Sequence, residues 1–192
     1  MLAGRRILLG VTGSIAAYQA TDLIGLLKVQ LADVRVIMTP AATRFITPLT
    51  LAVVSGHPVT VDMFDAAGDV VEHIALAQAA DLLLVAPASA NIIGKMASGI
   101  ADDMLSTTAL AVTAPRLVAP AMNERMWLNP IVRANVRKLR RFGFRIVEPE
   151  YGAMACGGEG WGRLARLDTI VAEASAAVVA RATIPSSVSV LS

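Results

Sequence analysis

The sequence predicts a three-layer α/β domain built on a doubly wound parallel sheet. Short β-rich apolar runs alternate with longer amphipathic stretches along the chain, which implies strand–helix–strand units with helices on both faces. One run, Asp81 to Ala86, is almost purely aliphatic, as a strand covered on both faces requires. Small and polar residues also gather just after the predicted strands, where open sheets of this type bind ligands. Together these observations describe a flavodoxin- or Rossmann-like single domain.

The elements follow in order. Arg5 to Val11 reads as the first strand, and the Gly13-Ser14 turn leads into an amphipathic stretch from Ile15 to Leu31. Val34 to Met38 repeats the strand signal; Leu49 to Ser55 and Ile74 to Ala79 carry helical patterns. After the aliphatic strand come helical patterns at Ala90 to Ala97 and Met104 to Thr113, a short strand at Leu117 to Ala119, a helix at Ile131 to Phe142 and a strand at Phe144 to Val147. Asp168 to Ala182 predicts the last helix, with Asp168 as its N-cap. Residues 1–182 thus form the domain, and 183–192, without periodicity, read as a linker-like tail.

Composition excludes several classes. Of 192 residues, 55% are hydrophobic and only 17% charged, so apolar surface must be hidden in a large sheet or an oligomer. No apolar run reaches bilayer length uninterrupted, and no small-residue cleavage site follows the start, so neither a membrane span nor a signal peptide is expected. A net charge of +2 argues against broad capture of nucleic acid. The basic cluster Arg133, Arg137, Lys138, Arg140 and Arg141 reads as the wet face of a helix. One cysteine excludes an intramolecular disulfide and fits a reducing, cytoplasmic setting.

Five segments carry chemistry. The strand-to-helix turn around Gly13, Ser14 and Ile15 can hold a mononucleotide phosphate through backbone N–H groups and the Ser14 hydroxyl; it lacks the third glycine of the dinucleotide pattern. Pro87-Ala88-Ser89-Ala90-Asn91 can admit a flat ring against backbone, with Ser89 as helix cap the plain alternative. In Pro120 to Trp127, the Asn123 amide can recognise a carboxylate or an amide without titrating, whereas Met122, Met126 and Trp127 read as core or subunit-contact residues. His73 opens a predicted helix and is either structural or the acid/base group suited to neutral pH; His57, before Pro58, reads as a surface turn. Cys156, finally, is followed by glycines at 157, 158, 160 and 162, a thiol on a glycine-rich flap. No second cysteine or close histidine accompanies it, so no metal site is expected.

Taken together and in order, these segments resemble the homo-oligomeric flavin-containing cysteine decarboxylases over nearly the whole chain. The resemblance implies FMN, its phosphate on Gly13, Ser14 and Ile15, with Thr39, Ser89, Ala90, Asn91, Ile92, Ser106 and Ala121 lining the remainder. It implies a substrate clamp of Ala153, Met154, Ala155 and Cys156, with Asn123 on the substrate carboxylate and His73 assisting oxidation. The implied reaction is decarboxylation of 4′-phosphopantothenoylcysteine to 4′-phosphopantetheine through thioaldehyde and enethiol intermediates, Cys156 supplying the final proton. A homotrimer, or a dodecamer of trimers, would place the flavin between subunits. In many bacterial members the domain is fused to a CTP-dependent ligase, which would begin at the tail.

Three departures stand out: Gln19 in place of a frequent Lys, Ile92 in place of Thr, and Met154 in place of Leu. Other activities on the same fold are an oxidative peptidyl-cysteine decarboxylase, a flavin reductase, and a non-catalytic regulatory flavoprotein. Retention of His73, Asn123 and Cys156 favours the complete decarboxylase.

Overall fold

A computed structural model describes residues 2–64, 72–155 and 157–182. Strands β1 (Arg6–Val11), β2 (Asp33–Met38), β3 (Val59–Thr60), β4 (Leu82–Ala88), β5 (Arg116–Pro120) and β6 (Phe144–Ile146) form one sheet in the order β3-β2-β1-β4-β5-β6, with every pairing parallel. This is the Rossmann order, not the flavodoxin one.

Why the sheet is doubly covered can be read residue by residue. Side chains of a strand alternate between faces. Ile7, Leu9, Val11, Leu82 and Leu84 join one core with Leu23, Ile24 and Leu27 of α1 (Ala20–Val29) and Ile170 and Ala174 of α8 (Leu167–Ala182). Leu8, Leu83 and Val85 join a second core with Ile92, Ile93 and Met96 of α4 (Ala90–Ser98) and Met104 and Leu105 of α5 (Met104–Ala111). All seven residues of β4 are buried. The aliphatic run is therefore the middle of the sandwich, as the sequence predicts.

The remaining helices are α2 (Pro48–Ser55), α3 (Glu72–Ala79), α6 (Glu124–Trp127) and α7 (Pro130–Arg141). On α7, Val136 and Leu139 face the core, while Arg137, Lys138, Arg140 and Arg141 are exposed. Arg140 and Arg133 both pair with Glu148, and Arg133 lies 4.4 Å over the ring of buried Trp127. The basic cluster is a wet helix face, and Trp127 is core.

Four local expectations change. The stretch from Ile15 to Leu31 is two elements, a 3-10 helix at Ile15–Gln19 and then α1. Asp168 lies inside α8, one residue past its start, and spends its carboxylate on the Arg166 guanidinium at 2.7 Å and on Thr169 N–H. His57 is half-buried, its Nε2 2.8 Å from Asp33 Oδ1. The flap is an ordered antiparallel ribbon, β7 (Glu150–Ala153) with β8 (Glu159–Arg163). Cys156 and residues 183–192 lie outside the described residues.

Asp33 stands at the start of β2, at the opposite end of the sheet from the strand carboxyl termini. It also pairs with Arg6 at 3.1 Å and Arg35 at 3.3 Å. Burial acts to raise its pKa, but the Arg6 hydrogen bond and the fields of Arg35 and His57 outweigh that and hold it below the ordinary carboxylate range. A depressed folded-state pKa contributes stability above the unfolded value and loses it as pH falls through the folded one. Asp33→Asn is therefore expected to lower the urea midpoint above about pH 4, with the gap to wild type closing at more acid pH. A gap independent of pH would reject the charge explanation.

Candidate functional site

The strand order reverses between β1 and β4, so a crevice opens outside their carboxyl ends. There the structure has a cavity of about 620 Å³, within the usual range for cofactor pockets. Five segments build it.

The first follows β1. Gly13 approaches the next strand-end loop so closely that a Cβ would lie 2.6 Å from Ala41 Cβ, so the turn needs a bare residue. Ser14 caps the 3-10 helix, its Oγ accepting from Ala16 N at 3.4 Å; its hydroxyl proton remains a donor. Ile15, first in that helix, has an N–H that the helix itself does not use. The second segment follows β4. Ser89 caps α4 through Ile92 N, and Ala90 lines the cavity beside it. Thr12 joins the two segments: fully buried, its Oγ1 donates to Pro87 O at 2.7 Å and accepts from Ser89 N at 2.8 Å. Thr12→Val would leave both backbone groups without a partner, at about 1–3 kcal/mol. The expected result is a matching loss in denaturant-derived stability; an unchanged midpoint would reject the staple.

The third segment follows β5. Ala121, Met122, Asn123 and Met126 line the cavity. Asn123 caps α6, Oδ1 accepting from Arg125 N at 2.9 Å, which fixes the amide at the cavity rim. The fourth and fifth segments are the ends of the two ribbon strands with the residues that follow them, contributing Ala153, Met154 and Ala155 from one side and Gly162, Arg163 and Leu164 from the other. The ribbon is held to the Asn123 segment by Met122 N donating to Gly162 O at 2.9 Å and Trp161 N donating to Glu124 Oε1 at 2.9 Å.

Of the residues predicted from sequence, the cavity therefore brings together Gly13, Ser14, Ile15, Ser89, Ala90, Ala121, Asn123, Ala153, Met154 and Ala155. Five others do not line it. Thr39 is buried, its Oγ1 accepting from Ala42 N. Ile92 points into the core and Asn91 is exposed on α4. Ser106 is fully buried and closes a reciprocal cap with Asp103 at the start of α5. His73 is half-buried in the first turn of α3. Tyr18, Gln19, Met126 and Arg163 line the cavity without having been singled out as site residues. One signal was available for one of them: Tyr18 falls three residues after Ile15, one turn of the 3-10 helix.

The lining fits a flavin mononucleotide in kind: a small-residue turn with donors at one end, apolar walls at Ile15, Ala90, Ala121 and Met126, and an amide at the rim. Among the described residues, no helix is long and apolar enough to cross a membrane.

The chain is similar to known proteins in both sequence and fold. The chain is 49% identical to the coenzyme A biosynthesis bifunctional protein CoaBC of Bacillus subtilis over 89% of its own length and 42% of that protein's. It thus spans about two-fifths of the bifunctional relatives it matches. A probable phosphopantothenoylcysteine decarboxylase of Streptococcus mutans is 47% identical, over 87% of this chain and 95% of that one. Among solved structures, the FMN-dependent cysteine decarboxylase SpaF superposes with a TM-score of 0.84 at 36% identity, covering 95% of this chain and all of that one. A cysteine-to-serine mutant of a PPC decarboxylase complexed with pantothenoylaminoethenethiol superposes with a TM-score of 0.80 at 32% identity, covering 90% and 97%. The flavoprotein family profile matches residues 1–179. The chain belongs to the flavoprotein family.

Proposed function

We propose that this chain is an FMN-dependent decarboxylase that converts 4′-phosphopantothenoylcysteine to 4′-phosphopantetheine. The observation that carries the reading is the cavity itself: one crevice at the switch point collects the β1 turn, the β4 turn, Asn123 and the ribbon strands on either side of Cys156. The decarboxylase relatives and the complex with an aminoethenethiol support the substrate class.

Gly13, Ser14 and Ile15 would hold the cofactor phosphate, and Ser89, Ala90 and Ala121 the wall beside it. When bound, FMN supplies a two-electron oxidation of the substrate's cysteine side chain and the return of those electrons. The remaining work falls to the chain. Asn123 presents its amide to the substrate carboxylate, where Nδ2–H is the complementary donor. The ribbon covers the reacting end and excludes water. Cys156, one residue past Ala155, gives its Sγ–H proton to the enethiol carbon and regains a proton from solvent. His73 orients the substrate or moves a proton during its oxidation.

His73 and Asn91 lie outside the chain's own cavity, so in this reading they complete a neighbour's cavity in a homotrimer, alone or as a dodecamer of trimers. Thr39, Ile92 and Ser106 support the site from behind it. Apolar surface for such contacts exists: Leu49 and Val53, one turn apart on α2, are each 73% exposed. A cytoplasmic location and a CTP-dependent ligase following residue 182 belong to the same reading, as does residues 1–182 forming the decarboxylase unit.

The test is direct. Purified protein should carry FMN, release carbon dioxide from phosphopantothenoylcysteine, and elute at a multiple of three. Colourless protein that takes up no FMN would overturn the reading. Oxidised enethiol as the only end product would favour an oxidative peptidyl-cysteine decarboxylase instead.

A further inference from the structure

A second recess of about 390 Å³ adjoins the main cavity and shares Gln19, Arg163 and Leu164 with it as a common wall. Its other lining comes from Leu26, Glu150 and residues 165–168 at the entry to α8. Four charged side chains meet there, and three already have partners. Arg166 pairs with Asp168 at 2.7 Å, and Glu150 Oε1 accepts from Arg166 N at 3.1 Å. Arg163 is the exception: among the described residues it has no ion pair and no hydrogen bond through its guanidinium. Its Nη1 and Cδ lie against Gly152, so the head of the side chain extends back along β7 toward the residues that line the main cavity. Gly162, its neighbour, is where the ribbon meets the Asn123 segment.

The proposed substrate has charge at both ends. Its cysteine carboxylate goes to Asn123, leaving a phosphate about four residue-lengths away, roughly 13 Å when extended. The recess that adjoins the main cavity at Arg163 offers such an arm room beyond the cavity. The geometry points to Arg163 as the residue that reads the distal phosphate of the substrate, with the recess holding the arm behind it. A guanidinium suits this role because it is always charged and can give two parallel N–H bonds to phosphate oxygens. This inference rests on the decarboxylase reading above.

The experiment compares phosphopantothenoylcysteine with pantothenoylcysteine on FMN-loaded wild type and Arg163→Gln. It also measures binding of phosphopantetheine and pantetheine by calorimetry. The kcat/KM ratio of phosphorylated to unphosphorylated substrate should fall roughly 10- to 100-fold in the variant, the span of a lost charge-assisted contact. The loss should lie mainly in KM, calorimetry should show the same loss of preference for phosphopantetheine, and Arg163→Lys should recover part of it. An equal fall with both substrates would overturn the role, and so would equal use of both by wild type. Loss of FMN affinity with riboflavin affinity retained would assign Arg163 to the cofactor phosphate and overturn it too. Wild type that decarboxylates neither compound would remove the decarboxylase reading itself.

Discussion

Cys156→Ser is expected to oxidise and decarboxylate the substrate yet release the enethiol, a product two hydrogens lighter than phosphopantetheine. The last reductive half of the reaction needs an acid at the enethiol carbon. A thiol, with an ordinary pKa near about 8.5, can supply that proton, whereas an alcohol is a far weaker acid. Formation of the saturated thiol should fall by roughly 10²–10⁴-fold, the usual contribution of a positioned acid, while carbon dioxide release persists for at least one turnover. Mass spectrometry of the released product, with FMN absorbance followed alongside, distinguishes the two halves. Normal phosphopantetheine at the wild-type rate would remove Cys156 from the proton-donor role.

Gly162→Ala is expected to abolish efficient turnover while leaving the parallel sheet folded. Gly162 adopts φ of +116°, which an L side chain tolerates poorly. A methyl there would also overlap the carbonyl oxygen of Met122, a backbone atom that cannot swing aside. The ribbon must then lift from the Asn123 segment, losing the Met122–Gly162 bond and displacing Ala153, Met154, Ala155 and Arg163 from the cavity wall. Displacement of a clamp by about 1 Å can cost roughly 10²-fold in rate, so kcat/KM should drop at least that far. Because β7 and β8 form a sheet of their own, the circular dichroism spectrum should be preserved and the melt should remain cooperative. Wild-type kcat/KM in this variant would show that ribbon docking is not needed.

Much of the site is legible in the chain because its residues are local signals. Gly13-Ser14, Ser89-Ala90 and Asn123 each sit where a buried strand ends, and strand ends are visible from hydrophobic runs. The cap role of Ser89 follows from the same spacing, whereas those of Ser14 and Asn123 emerged from the structure. The ribbon was less legible. β7 alternates between half-buried and exposed and β8 between exposed and buried, but the buried positions of β8 are Gly160 and Gly162, so the ribbon carries no apolar period and reads as a loop. Strand β3, two residues long, is likewise too short for any periodicity.

The amino-acid sequence by itself determined the doubly wound sheet, its cofactor end and the residue types of the site, because covered strands must be apolar and the turns after them must be small. Only the tertiary structure decided which of those residues share one cavity. It gathered Gly13, Ser89, Asn123 and Ala155 across more than 140 positions of chain, sent Ile92 and Ser106 into core and cap, and left His73 outside the cavity lining. It also found Thr12, whose hydroxyl joins two strand ends 75 and 77 positions away in the chain. Those are properties of packing at long range, and no window of sequence contains both partners.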